Sequence, residues 1–171
     1  MQRSLYSTRS GMRGRLLCVI GVGLWSATPV ARQAPAVLPG ELRAHVQNAR
    51  FDVVSSIRGL PLGVRGELQA LFGSPTLDIA EPDTALRAAG QTPDARAPIR
   101  RFVAAGCSYE DCLVYYERVG SPSTWRVALF HWTPAASRFE WGGSAPGGLK
   151  TIDDVRRAVL SGAIASAAGP W

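Results

Sequence analysis

Between Ile99 and Trp141 strand-forming segments follow one another with only turn-sized gaps, and a chain patterned in this way is directed toward an antiparallel meander. Ile99 to Gly106 and Cys112 to Arg118 flank Ser108-Tyr109-Glu110-Asp111, a connection of hairpin length. Val119 to Ser123, containing Gly120 and Pro122, turns the chain into Thr124 to Trp132, and Thr133 to Ser137 turns it again into Arg138 to Trp141. If Trp132 pairs with Arg138, then Trp125, Val127, Leu129, His131, Phe139 and Trp141 share one face. Arg126, Ala128, Phe130, Trp132, Arg138 and Glu140 share the other. The first face is expected to be core.

Helical periodicity appears on both sides of this block. From Glu41 to Ile57 the apolar residues Leu42, Val46, Ala49, Val53 and Ile57 recur at intervals of three and four, which predicts a first helix. Its later part, Phe51-Asp52-Val53-Val54, is also β-branched enough for a short strand. Pro61 suits a first helical turn, Val64, Leu68, Leu71 and Phe72 form a stripe, and Gly73 can adopt a left-handed C-terminal conformation, so a second helix is predicted over 62–72. The third follows Thr151 as cap, with Asp153 and Asp154 at the positive end of the dipole and Ile152, Val155 and Val159 as its stripe, and stops before Gly162. Residues 73–98, with four prolines, read as a long loop holding at most one brief strand at Leu77 to Ile79, and 163–171 as an irregular tail. The expected architecture is α+β: a four-stranded antiparallel β-meander packed against a C-terminal helix and two N-terminal helices.

The N-terminus is organised differently. Arg3, Arg9, Arg13 and Arg15 precede the apolar run Leu16 to Trp25, and small residues follow, the order of a secretory signal. The apolar run is too short to cross a bilayer, which takes roughly twenty apolar residues, so no permanent membrane anchor is expected. Cleavage after Ala36 fits Ala34-Pro35-Ala36, with sites near Ala27 or Ala31 as alternatives. The expected organisation is a signal peptide over 1–36 and a single domain over 37–171, exported to the periplasm or secreted. The leader holds five of the nineteen basic residues and none of the thirteen acids, so the remainder balances to about +1. The basic pI therefore carries no inference of nucleic-acid binding, and Arg100-Arg101 and Arg156-Arg157 are expected to be solvated.

Cys107 and Cys112 bracket the first hairpin turn at facing positions, and in an oxidising compartment they are expected to form a disulfide. With His45 and His131 they make the residue set of a zinc site, but the histidines lie far apart in sequence and far from the cysteines, so neither a metal nor another cofactor is expected. Gly142 to Thr151 approaches a phosphate-binding loop, yet Leu149 separates the glycine from Lys150-Thr151. Glu110-Asp111 and Asp153-Asp154 are neighbours in sequence, which does not make a catalytic pair. His131 is the weak catalytic candidate, needing Ser108, Ser121 or Asp111 as partner, and a hydrogen-bonded structural histidine is the simpler reading. The second sheet face, with Arg126, Phe130, Trp132 and Arg138, is the candidate ligand-binding surface provided that the N-terminal helices leave it open. The expected function is a non-enzymatic module binding a protein or small ligand. A small exported hydrolase using His131 and a structural envelope component are the alternatives.

Overall fold

In a computed structural model the described residues are 36–84, 86, 98–120, 124–167 and 169–171. All of the expected signal peptide except Ala36, and most of the long loop's second half, lie outside them. The described chain forms a five-stranded antiparallel sheet in the order β1 (Asp52–Val54), β2 (Arg100–Cys107), β3 (Asp111–Arg118), β4 (Thr124–Trp132), β5 (Ser137–Ala145). Three α-helices accompany it: α1 (Gly40–Asn48), α2 (Leu62–Phe72) and α3 (Ile152–Leu160). The α+β class and the meander hold; the sheet has one strand more than expected.

The additional strand is β1, whose three residues pair with Cys107, Gly106 and Ala105 of β2. The first helix accordingly ends at Asn48 rather than running to Ile57. Its end has a tertiary cause: Arg156 of α3 donates from Nε to the Val46 carbonyl (2.7 Å) and from Nη2 to the Gln47 carbonyl, satisfying acceptors that a continued helix would have used. Arg156 is thus a structural residue rather than a solvated one. Gly73, at φ 61°, terminates α2, and Thr151 with Asp154 forms a reciprocal capping box on α3, both as the residue types predict.

Side chains alternate across the sheet, and each face has its own helical cover. Leu113, Tyr115, Val127, Leu129 and Trp141 pack with Val46 of α1 and Ile152, Val155, Ala158 and Val159 of α3. On the reverse face Cys112, Val114, Tyr116, Ala128 and Phe130 pack with Val64 and Leu68 of α2 and with Ile57 and Leu60 around the 3-10 turn. Two cores on one sheet explain why most of β3 and β4 is buried on both faces.

The last hairpin departs from the expected register. Trp132 pairs with Ser137, His131 with Arg138 and Phe130 with Phe139, but Leu129 pairs with Trp141, which leaves Glu140 as an extra residue in a bulge. Phe139 therefore joins Phe130 in the α2-side core, with ring centroids 5.8 Å apart, and Arg138 moves to the face of His131.

Both flanks of the sheet are bridged by distant segments. Ala80 pairs with Arg101 on the outer side of β2, and Ala165 exchanges two backbone hydrogen bonds with Ser144 of β5 (2.8 and 2.9 Å). Beyond it the Trp171 ring stands edge-on to Phe139 at 5.3 Å, and its main-chain oxygen accepts from Nε and Nη2 of Arg100. Arg100 also donates to Asp78 at 2.8 Å and lies 4.1 Å from the Phe72 ring centroid. Contrary to expectation this arginine is a buried strut, only 4 % exposed, and burial lowers its pKa despite Asp78.

Candidate functional site

Asp111 opens β3 directly opposite His131 of β4. The turn before it is closed by Ser108, whose N–H donates to the Asp111 carbonyl (2.7 Å) and whose hydroxyl accepts from the Asp111 N–H (3.0 Å) while donating to the same carbonyl (3.2 Å). Cys107 and Cys112 flank this turn as a cross-strand disulfide with Cα atoms 4.1 Å apart. The turn is therefore held at its base by a covalent link and at its tip by one serine. That combination anchors the Asp111 backbone at the start of β3.

The carboxylate is 4 % exposed and meets imidazoles from two elements. His45 of α1 places Nδ1 3.3 Å from Oδ2, and His131 places Nδ1 4.0 Å from Oδ1. An ionised carboxylate only accepts hydrogen bonds, so the His45 contact requires Nδ1 to donate, and a neutral ring then keeps an acceptor at Nε2. The two histidines are the only ones in the sequence, and they converge although 86 positions separate residues 45 and 131.

His45 and Asp111 together divide two cavities. One, of about 410 Å³, lies between the C-terminal end of α1 and the β2–β3 turn and is lined by Asn48, Arg50, Ser108, Tyr109 and Glu110 in addition to this pair. The other, of about 340 Å³, adds Glu41 and Leu42 of α1 and His131, Arg138 and Glu140 of the sheet. The bulge at Glu140 builds this second wall by bringing Arg138 across from His131, where its Nε ion-pairs with Glu140. Three carboxylates face one guanidinium there, so the cleft favours a positively charged or donor-rich occupant.

The structure separates the expected ligand-binding residues. Phe130 is fully buried beneath α2, and Arg126 is 4 % exposed, donates from Nη1 to the Ser144 hydroxyl and has its pKa lowered by burial. Trp132 is half-buried, with its indole N–H donating to the Ser108 carbonyl at 3.1 Å. Arg138 alone of the four is well exposed, and it lies on the opposite face, in the cleft with His131. The helical cover that would have had to be absent is present as α2.

His131 does gain one expected partner, Asp111, whereas the Ser108 hydroxyl is committed to its own turn. Ser121 lies outside the described residues. Among the described residues no group of three or more histidine, cysteine or acidic side chains has the geometry to hold a metal ion, and the cysteines are consumed by their disulfide. Sequence reasoning weighed His45 only as a member of a zinc set and did not single out Glu41; both reach the site from a helix more than sixty residues before Asp111. Comparison with family models, curated proteins and solved structures finds no match to this chain, so its functional reading rests on the geometry just described.

Proposed function

We propose that this is an exported, non-enzymatic domain that binds a cationic group, the amine or guanidinium of a small ligand or of a partner's side chain, in the cleft around Asp111. The observation that carries the reading is Asp111 itself: a buried carboxylate on a backbone anchored by its turn, contacted by the imidazoles of both histidines, beside a cavity with an acidic excess. A cation supplies the charge that the cleft lacks. Export is supported by the order of basic, apolar and small residues at the N-terminus and by the disulfide at the base of the site.

Titration of the purified protein with arginine methyl ester, followed through the imidazole carbon-bound proton resonances, tests the reading. Saturable shifts at His45 and His131 that disappear in Asp111→Asn are expected. Resonances that stay fixed, or that move identically in the variant, would refute it.

A second reading is favoured by the orientation of His131, whose Nδ1 faces the carboxylate and leaves Nε2 as a base for water. A hydrolase of this kind should turn over activated esters and lose that turnover in His131→Ala while remaining folded. Absence of turnover by the unaltered protein removes this alternative.

A further inference from the structure

The other end of β3, on the opposite face of the sheet, carries an arrangement that the cleft does not involve. Tyr116 and Arg118 lie two residues apart on β3 and so share the α2-side face. Arg126 of β4 pairs with Tyr116 and Thr124 with Arg118, while Arg100 of β2 faces Arg118 from the other side. Three guanidiniums, a phenol and a hydroxyl are thereby set on adjoining positions of three neighbouring strands.

Three polar atoms in this group are buried without a hydrogen-bond partner among the described residues: the Tyr116 hydroxyl, Arg118 Nε and Thr124 Oγ1. Tyr116 is fully buried. Burial raises its pKa, so the phenol keeps its proton and remains a donor. No described carboxylate ion-pairs with Arg118; the nearest acid along β3, Glu117, points to the other face and pairs with Arg101 at 2.5 Å. Asp78 is engaged with Arg100. Burying several donors with no acceptor is unfavourable, and clustering them makes it more so unless a shared acceptor is taken up.

We propose that this cluster binds a tetrahedral oxyanion, inorganic phosphate or the phosphate group of an ester, between Arg118 and Thr124 and above the Tyr116 hydroxyl. A planar carboxylate accepts chiefly in its own plane, whereas phosphate offers oxygens in several directions, which suits donors arriving from three strands. Arg118 and Thr124 are half-buried and give the approach, and Tyr116 forms the closed end. Arg100 is already braced by Asp78 and Trp171 and contributes positive charge to the site without having to move.

The test is titration of the purified protein with sodium phosphate and, separately, phenyl phosphate at constant ionic strength, observed through the Arg118 Nε–Hε resonance and by calorimetry. Saturable binding with a shift at Arg118 is expected. Arg118→Gln should weaken it at least about tenfold, in line with loss of a charge-assisted hydrogen bond. Tyr116→Phe should weaken it several-fold while leaving the fold intact. Tighter binding of phenyl phosphate identifies an ester, and tighter binding of phosphate the free ion; either supports the site. Should Arg118→Gln fail to fold, Thr124→Val gives the decision through the same titration. Acetate or citrate binding at Arg118 more tightly than phosphate would overturn the tetrahedral assignment. An Arg118 resonance unmoved by either phosphate, or affinity unchanged in the folded variants, would overturn the site.

Discussion

Tyr115 and Tyr116 are consecutive, both fully buried, and face opposite cores, yet removing their hydroxyls should have opposite consequences for stability. The Tyr115 hydroxyl donates to the Pro146 carbonyl at 2.7 Å, so Tyr115→Phe forfeits a hydrogen bond and leaves a carbonyl short of a donor, at a cost of about 1 kcal/mol. The Tyr116 hydroxyl has no partner among the described residues, and burying it in that state costs about 1–3 kcal/mol. Removing its oxygen opens a void of roughly one atom, which at about 24 cal/mol per Å³ subtracts only a few tenths of a kcal/mol. The edge-on contact of the Tyr116 ring with Phe72, at 5.3 Å between centroids, survives the substitution. Tyr116→Phe should therefore be more stable than the unaltered protein by about 1 kcal/mol, or roughly 3 °C in Tm for a domain of this size, in buffer free of phosphate. Urea denaturation of the two variants side by side is the assay, with equal m-values confirming that the native and unfolded states are otherwise comparable. Destabilisation of both variants by similar amounts would refute the reasoning, since it would mean that the buried phenol is satisfied after all.

Replacing Cys107 and Cys112 together by serine should lower stability by about 2 kcal/mol, given how short the closed loop is, and a denaturant series compared with the disulfide form checks it; an unchanged midpoint would count against the bridge as a support of the Asp111 turn. The proposed export predicts an intact mass that lacks the first 36 residues and lies two mass units below the reduced form, and free alkylatable thiols would contradict that proposal. Gly143→Ala should unfold or severely weaken the domain, because its Cβ would come within 2.2 Å of the Ala165 carbonyl oxygen, and a melt resembling that of the parent would contradict this packing. In alkali, burial holds Tyr115 up to about 12 and raises Tyr116 further from the ordinary value near 10. Stability from these neutral phenols is full below about pH 10 and declines as pH rises past it, so the tyrosinate absorbance of this pair, followed in Tyr109→Phe to remove the exposed ring, should grow together with loss of circular dichroism rather than ahead of it.

The meander was readable because its signals are local. Alternation over 124–132, the turn residues around Gly120 and Pro122, and the Thr151 and Gly73 helix boundaries each depend on a handful of neighbouring side chains. β1 was not fixed by such signals, since its three residues gain their partners from Ala105 to Cys107, half a hundred positions away, and Val53 also satisfies the helical spacing that begins at Leu42. The bulge at Glu140 has no signature in period-two patterning, and one extra residue was enough to transfer Arg138 and Phe139 to the opposite faces. The burial of Phe130 and Arg126 in the candidate binding face was not legible for a related reason: they looked amphipathic on one strand, but whether α2 lies over that face is a tertiary matter. Asp111 was legible only as a possible partner of His131. That His45 completes the site follows from the placement of α1 beside β3, which no spacing in the sequence encodes.

The sealing of the sheet by Ala165 and the bracing of Arg100 by Trp171 set an order of events for the chain. The residues that close the outer strand and quench a buried cation are synthesised after everything they complete. Until they emerge, β5 presents an open edge and Arg100 lacks the acceptor that Trp171 supplies, so the sheet is completed only after this segment has left the ribosome.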